Sequence, residues 1–174
     1  MSYVMPLSEI LALLSVELPS NKSLDEIDIT SLTIDSRSAT KDSLFFAYPG
    51  SCFDGRDYIL AAQQEGVSAI DYEAGFELPK ELTVPAFAVT GVQSMVGFIA
   101  DKFYRQPSSE LQVFGVTGTN GKTTSCYLLT QALEKLGMKA VMVGTIGIGA
   151  LSALDKAGHT TPDPISVHRL LADF

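Results

Sequence analysis

The sequence predicts an α/β fold in two parts, a small N-terminal α/β domain followed by an incomplete domain built on a parallel sheet. Short apolar runs with strand character alternate with segments whose apolar residues recur at helical spacing, which is typical of α/β proteins. This alternation breaks at residues 106–109, Gln-Pro-Ser-Ser, because Pro107 ends the helix before it. We therefore predict domains at residues 1–107 and 108–174.

The predicted N-terminal domain begins with a short helix through Ile10 and Leu14, which Ser8 is placed to cap. Residues 29–34 alternate between apolar and polar side chains, as in a half-buried strand. A dense apolar run near residue 46 indicates a more buried strand, and Asp57 is placed to cap the helix after it. Strands are predicted at residues 29–34, 44–48, 68–70 and 85–89, and helices at residues 57–65 and 92–104.

The predicted second domain has fewer elements. Strands are expected at residues 111–114 and 140–143, and helices at residues 123–136, ended by Gly137, and 164–174. A parallel sheet is normally covered by helices on both faces, and two strands with two helices cannot complete one. The sequence therefore predicts an incomplete domain, with a small self-sufficient subdomain as the alternative.

Composition and charge exclude several classes of function. A net charge of −8 gives no reason to expect nucleic acid or an anionic membrane as a partner. Cys52 and Cys126 match no metal or disulfide spacing, so both are expected to be reduced thiols. No basic segment precedes Lys22, and the uncharged stretch 140–154 contains three glycines and is shorter than ~20 residues. We expect a soluble cytoplasmic protein.

Residues 115–124, Gly-Val-Thr-Gly-Thr-Asn-Gly-Lys-Thr-Thr, form the most informative motif of the chain. They lie between a predicted strand and a predicted helix, the arrangement of a phosphate-binding P-loop. Lys122 is placed to reach the β- and γ-phosphates of ATP, and the Thr123 hydroxyl is placed to bind Mg²⁺. The strict pattern requires glycine at the position of Val116, so the loop is a variant; the alternative is an ordinary glycine-rich turn.

Three sequence blocks, taken in order, resemble the Mur ligases, the cytoplasmic enzymes that build the peptidoglycan stem peptide. The first comprises Asp-Ser-Arg at 35–37 and Gly-Ser-Cys-Phe-Asp-Gly-Arg at 50–56. The second is Gly-Thr-Asn-Gly-Lys-Thr-Thr at 118–124, and the third is Thr-Thr-Pro-Asp-Pro at 160–164. The likeness is greatest to the MurE type. It covers that type's N-terminal domain, which binds UDP, and the start of its central P-loop ATPase domain.

The resemblance implies roles for particular residues. Lys122 would be the catalytic cation and Thr123 the magnesium ligand. The ATP phosphates would be held by Gly118, Thr119, Asn120, Gly121, Lys122, Thr123 and Thr124. The UDP pocket would involve Ile34, Ser36, Ser51, Cys52 and Phe53, and the muramoyl-peptide end would meet His159, Thr160 and Thr161. His159 stands where relatives often carry Asn.

The resemblance also implies a reaction. ATP would activate the free carboxylate of UDP-MurNAc-L-Ala-D-Glu as an acyl phosphate, and the amine of meso-diaminopimelate or L-lysine would attack it. We expect a monomeric parent enzyme, whereas residues 1–174 alone should be catalytically incompetent and prone to self-association through an unpaired sheet edge. The alternatives are a MurF-type ligase, a non-catalytic UDP-sugar or nucleotide-binding module, and a simple P-loop ATPase.

Overall fold

The computed structural model describes residues 3–16, 24–155 and 162–174, and its largest feature is a four-stranded parallel sheet. The strands are β1 (Met5–Pro6), β2 (Asp28–Ile29), β3 (Ser31–Thr33), β4 (Ser43–Ala47), β5 (Ala69–Glu73), β6 (Ala86–Val89), β7 (Met142–Gly144) and β8 (Gly147–Gly149). The helices are α1 (Leu7–Leu13), α2 (Ile59–Gln64), α3 (Val92–Phe103), α4 (Lys122–Lys135) and α5 (Pro164–Asp173).

The parallel sheet has the strand order β3-β4-β5-β6. All five residues of β4 are buried, because both faces of the sheet are covered. Side chains of α1 and α3 pack with Leu44 and Phe46 on one face, whereas Ile59 and Ala62 of α2 pack with Phe45 on the other. The predicted α/β fold is therefore confirmed, and most of its core comes from the first 104 residues, with Ile165 of α5 added to it.

The strand predicted at residues 29–34 is divided. Its first residues form β2, which pairs antiparallel with β1, and its later residues form β3 of the parallel sheet. The division falls at Thr30, whose N–H donates to the carbonyl of Asp42 at 2.8 Å. Periodicity along one segment did not reveal this, because the partner of β2 lies more than twenty residues earlier in the chain.

Two predicted helix caps are wrong. Helix α1 begins at Leu7 after Pro6, and no side chain caps it, so Ser8 lies inside the helix. The helix predicted from Asp57 starts instead with a 3₁₀ turn, Gly55–Tyr58, which is capped by Asp54. Asp54 accepts a hydrogen bond from the N–H of Arg56 at 3.0 Å, and it can do so because it precedes the turn, whereas Asp57 lies within it.

Beyond residue 110, the strand predicted at 111–114 is wrong. No described strand lies beside these residues, and Val113 and Phe114 are each 59% exposed. Strands β7 and β8 form an antiparallel hairpin, so the parallel pairing expected for this part is not formed among the described residues. Helix α4 agrees closely with the prediction for residues 123–136, but Thr130 is its only buried residue.

Helix α5 packs against α3, within the core of the first part of the chain. Ile165 is buried in the same cluster as Val96 and Ile99. Pro164 lies over Gly97, where a Cβ would make an ordinary van der Waals contact with it at 3.7 Å. The division at residues 107 and 108 stays a prediction.

No helix among the described residues is long and apolar enough to cross a membrane. Cys52 is an exposed free thiol, and Cys126 is a half-buried one.

Candidate nucleotide and substrate site

The glycine-rich loop leads directly into α4, and its backbone is shaped by two glycines. Gly118 and Gly121 have φ values of +144° and +79°, a region that residues with a Cβ rarely adopt. The first hydrogen bond of the helix runs from the N–H of Ser125 to the carbonyl of Gly121 at 2.9 Å. The N–H groups of residues 122–124 therefore have no partner within the helix, and such N–H groups attract anions.

The side chain of Lys122 folds back over the loop. Its Nζ donates to the carbonyl of Gly118 and, at 3.4 Å, to that of Thr119. The ammonium group is therefore held against the loop that leads into α4. A phosphate bound there would offer it stronger, charge-assisted acceptors than these neutral carbonyls.

The next residue, Thr123, reaches the β7–β8 hairpin. Its Oγ1 lies 3.0 Å from Oγ1 of Thr145 in the turn between the two strands. The sequence had assigned Thr123 to a metal but had assigned no role to Thr145. The only signal for that region was its glycine content, which does not show where a turn lies relative to α4.

Two other predicted groups lie at the carboxyl edge of the parallel sheet. Ser36 follows β3, and residues 51–53 follow β4, its neighbour in the sheet. The carboxyl edge is where open α/β sheets bind ligands. Ser36 is 7% exposed, whereas Ser51, Cys52 and Phe53 are exposed, with 73% of Phe53 accessible to solvent.

The loops after β3 and β4 are held by the same short motif, an aspartate two residues before an arginine. Asp35 accepts from the backbone N–H and the guanidinium of Arg37, and Asp54 does the same for Arg56. The hydrogen bonds from each arginine hold the pKa of its aspartate below the usual value. The two arginines differ in exposure, since the Arg37 side chain is 86% exposed and the Arg56 side chain 19%.

The loop after β4 is also closed by its backbone. The N–H of Gly50 donates to the carbonyl of Phe53 at 2.8 Å, and the N–H of Gly55 donates to that of Tyr48 at 2.9 Å. A Cβ on Gly50 would lie 2.9 Å from the Phe53 oxygen. The loop therefore presents Ser51, Cys52 and Phe53 on a tightly held backbone.

Ile34 comes directly before the first of these loops, and it shares a cavity with Asp35 and Ser38 of that loop. This cavity of about 740 Å³ lies on the outer edge of β3 and is also lined by Tyr3, Tyr104 and Arg169. Neither Ser36 nor residues 51–53 line this cavity. Of the residues predicted for the UDP pocket, the structure thus places four at the carboxyl edge and Ile34 in a neighbouring cavity.

The third predicted group lies outside the described residues, since these do not include His159, Thr160 or Thr161. Asp163, two residues later, caps α5. It accepts hydrogen bonds from the N–H groups of Ile165 and Ser166 at 2.9 and 3.1 Å, and Pro164 occupies the first turn of the helix. The end of the Thr-Thr-Pro-Asp-Pro block therefore has a structural role.

The donor set beside the loop suits Mg²⁺ bound together with phosphates. Magnesium prefers oxygen ligands and is usually held by one or two protein oxygens plus phosphate oxygens and water. Thr123, in the first turn of the helix that follows the loop, supplies such an oxygen. No group of three or more His, Cys, Asp or Glu side chains that could hold a metal occurs among the described residues.

Sequence reasoning missed one carboxylate at the carboxyl edge. The two oxygens of Glu73 accept from the N–H groups of Gly91 and Val92, each at 2.8 Å. The N-terminus of α3, a position that often binds phosphate in α/β proteins, is therefore already filled by a side chain of the protein. The loops after β3 and β4 are therefore the parts of the carboxyl edge that a ligand could still occupy.

Comparison with known families matches two models in succession. The model described as Mur ligase family, catalytic domain, matches residues 28–104, and the model described as Mur ligase middle domain matches residues 116–174.

The curated relatives include two UDP-N-acetylmuramoyl-L-alanyl-D-glutamate--2,6-diaminopimelate ligases. The protein from Coxiella burnetii is 41% identical over 156 residues, which is 88% of this chain and 32% of that protein. The protein from Pseudomonas aeruginosa is 44% identical over 146 residues, which is 83% of this chain and 30% of that protein. The chain thus spans about a third of the length of the relatives it matches.

Solved structures of the same group share the fold. A UDP-N-acetylmuramoyl-L-alanyl-D-glutamate--2,6-diaminopimelate ligase superposes with a TM-score of 0.71 at 23% identity, covering 99% of this chain and 33% of that one. MurF from Acinetobacter baumannii superposes with a TM-score of 0.63 at 17% identity, covering 99% and 34%. MurF ligase from Thermotoga maritima, solved in complex with ADP, gives 0.52 at 23% identity, covering 83% and 29%.

Proposed function

Because this chain belongs to the Mur ligase family, we propose that it forms the UDP-binding and phosphate-binding part of an ATP-dependent ligase of peptidoglycan synthesis in the cytoplasm. The resemblance to the MurE type is confirmed, since relatives at 41% and 44% identity are ligases of that type. The proposed substrates are UDP-MurNAc-L-Ala-D-Glu, ATP and 2,6-diaminopimelate. L-Lysine is the alternative amine, and the relatives, which are 2,6-diaminopimelate ligases, favour diaminopimelate.

The observation that carries this proposal is the loop geometry before α4. Unpaired backbone N–H groups at the start of α4, two glycines at positive φ and the ammonium of Lys122 all belong to this one exposed loop. Such a site suits the β- and γ-phosphates of ATP. In the ATP complex, Lys122 would leave the carbonyls of Gly118 and Thr119 and pair with phosphate oxygens.

The proposed reaction joins two anions, so the main tasks of the protein are positioning and charge neutralisation. The substrate carboxylate attacks the γ-phosphorus, the bond to the β–γ bridging oxygen breaks, and ADP leaves. The amine then attacks the resulting acyl phosphate, loses a proton, and expels inorganic phosphate. Lys122 would offset charge on the transferred phosphoryl group, and the Thr123 hydroxyl would hold Mg²⁺, which neutralises the phosphate oxygens.

The UDP moiety would bind at the carboxyl edge of the parallel sheet. Ser36 and the loop 51–53 lie at the ends of adjacent strands, and the exposed Phe53 ring offers a surface for a base or sugar. His159, Thr160 and Thr161 would contact the muramoyl peptide, as the resemblance implies.

Nucleotide binding tests the first half of the proposal. We expect the 174-residue protein to bind a fluorescent ATP analogue, and Lys122→Ala to weaken that binding by about tenfold or more, because charge-assisted contacts to phosphate are lost. Lys135→Ala, at the far end of the same helix, is the matched control and should bind normally. Equal binding by both variants would contradict the proposed loop.

UDP binding distinguishes the ligase from a simple P-loop ATPase. Calorimetry with UDP-MurNAc-L-Ala-D-Glu should show weaker binding for Ser36→Ala and Phe53→Ala than for the unchanged protein. Phe98→Ala removes another exposed ring, from α3 (45% exposed, against 73% for Phe53), and should have no effect. A simple ATPase predicts that none of these substitutions matters.

Phosphate release tests turnover. We expect no release by the 174-residue protein with UDP-MurNAc-L-Ala-D-Glu, ATP and either diamino acid, because α4 has only one buried residue and no parallel sheet among the described residues packs behind it. Release that depends on both the UDP-dipeptide and the amine would contradict this expectation and would identify the preferred amine. A non-catalytic binding module also predicts tight binding of the UDP-dipeptide without phosphate release. Joining the remaining domains of a relative to this chain should restore phosphate release only if the chain is part of a ligase.

A further inference from the structure

A second threonine lies beside the predicted metal ligand. Thr145 occupies the two-residue turn between β7 and β8, where Gly144 and Gly147 are paired across the hairpin. Its Oγ1 is 3.0 Å from Oγ1 of Thr123, and both residues are accessible to solvent. The two hydroxyls thus connect the start of α4 to a separate element of the chain.

The hairpin that carries Thr145 is fixed on both sides. Ile148 and Asp155 exchange two backbone hydrogen bonds of 2.9 and 3.0 Å, which fold the following segment back on β8. The N–H of Leu151 donates to the carboxylate of Glu134 on α4 at 3.2 Å. Because the hairpin is hydrogen-bonded to the helix whose first turn contains Thr123, the two hydroxyls are held near each other by contacts besides their own.

The chemistry of a hydroxyl group gives this contact a direction. A threonine hydroxyl has one proton to donate and two lone pairs. When its oxygen faces a cation, the proton must point away from the cation, and it is best placed if an acceptor lies on that side. Oγ1 of Thr145 is such an acceptor for Thr123.

We propose that Thr145 is a positioning residue, which accepts the proton of the Thr123 hydroxyl and so turns a lone pair of that oxygen toward Mg²⁺ bound with ATP. This inference rests on the proposed function, since it assumes that the loop binds ATP with Mg²⁺. Groups that orient a metal ligand in this way typically change metal affinity by about 10- to 100-fold when they are removed.

The test compares three substitutions in the 174-residue protein. Thr145→Val keeps the shape of the side chain but removes the acceptor, Thr145→Ser restores a hydroxyl, and Ser152→Ala removes another exposed hydroxyl from the segment after β8. Binding of ATP is measured by calorimetry across a Mg²⁺ titration and also in EDTA. Thermal unfolding without nucleotide reports any structural effect.

We expect Thr145→Val to need about tenfold more Mg²⁺ for half of the metal-dependent gain in ATP affinity. Its ATP affinity in EDTA and its melting temperature without nucleotide should be unchanged. Thr145→Ser and Ser152→Ala should behave like the unchanged protein.

The outcomes separate the two proposals. If the unchanged protein binds ATP and Thr145→Val shows the same Mg²⁺ dependence, the role of Thr145 is wrong while the proposed loop stands. The role is also wrong if Thr145→Val weakens binding equally in EDTA, or if Ser152→Ala has the same effect. If the unchanged protein binds no ATP with or without Mg²⁺, both proposals fail.

Discussion

Asp71 is the most unusual single residue of the fold. It lies in the middle of β5, is completely buried, and neither of its carboxylate oxygens has a hydrogen-bond partner. Burial raises its pKa to about 8, because the charged form loses its hydration. The folded protein therefore holds a proton on this group through the neutral range, whereas the unfolded chain releases it near pH 4.

This burial predicts that stability decreases as pH rises. Below about pH 4 both states are protonated, so the ionisation of Asp71 contributes nothing to the free energy of unfolding. Above that pH the unfolded state gains by ionising, until the folded state also ionises near pH 8. Each pKa unit corresponds to about 1.4 kcal/mol of unfolding free energy. Asp71→Asn should flatten this dependence and raise the melting temperature more at pH 8 than at pH 4.

The matched control for Asp71 is Asp57→Asn, which neutralises an exposed carboxylate. Melting curves from pH 4 to pH 9 should show the original slope in this variant. A slope that persists in Asp71→Asn would show that another group carries the dependence.

Gly121 allows a second prediction for a single residue. Its φ is +79°, and a Cβ at this position would meet no atom within 4 Å, so Gly121→Ala acts only through backbone strain. The left-handed region costs residues other than glycine about 1–2 kcal/mol. Gly121→Ala should lower both the melting temperature and ATP affinity. Gly115→Ala also meets open space but has no positive φ, and it should leave both unchanged.

The two Asp-x-Arg turns at the carboxyl edge are equivalent in hydrogen bonding and differ in surroundings. The Arg56 guanidinium lies 5.1 Å from the centre of the Phe76 ring, and most of its side chain is covered, whereas Arg37 is largely exposed. We expect Arg56→Ala to lower the melting temperature more than Arg37→Ala, because it removes packing as well as an ion pair. Equal melting temperatures in the two variants would contradict this difference.

The elements that sequence predicted best are those determined by local pattern. The apolar run of β4 and the helical spacing of α3 and α4 agree with the structure to within one or two residues. In the structure, the parallel strands place Ser36 and residues 51–53 at the carboxyl edge of the sheet, as alternating strands and helices imply. The assigned ligand roles of these residues remain predictions.

The elements that sequence missed depend on distant partners. The split between β2 and β3 needs β1, and residues 111–114 have strand composition without a described strand beside them. Strand β8 is largely glycine, which has low strand propensity. The contact of Thr145 with Thr123 and the position of Ile34 in a cavity could not be predicted for the same reason. Local pattern does not reveal which surfaces of separate elements come together.

At the scale of the whole molecule, apolar exposure is uneven. Many large apolar side chains between residues 113 and 146 are exposed; they include Val113, Phe114, Leu128, Leu129, Leu136, Met138, Val141 and Ile146. An exposed apolar surface of this extent commonly associates. We therefore expect the 174-residue protein to self-associate as its concentration rises, despite its net charge of −8.

Sedimentation velocity over a range of concentrations tests this expectation. A Leu128→Lys, Leu136→Lys double variant should shift the protein toward monomer. Val4→Lys adds a charge at an exposed apolar residue outside this surface and should not. An unchanged 174-residue protein that stays monomeric at high concentration would contradict the expectation.

The packing of α5 on α3 has a consequence for synthesis on the ribosome. Ile165 shares a cluster with Leu7, and the Tyr3 hydroxyl contacts the carbonyl of Ala172 at 3.5 Å, so the first and last parts of the chain meet in one core. The four parallel strands can pair once about a hundred residues have emerged. The side of α3 that receives Ile165 must then stay uncovered while some sixty more residues are translated, which makes this interval the period when the nascent protein most needs protection from aggregation.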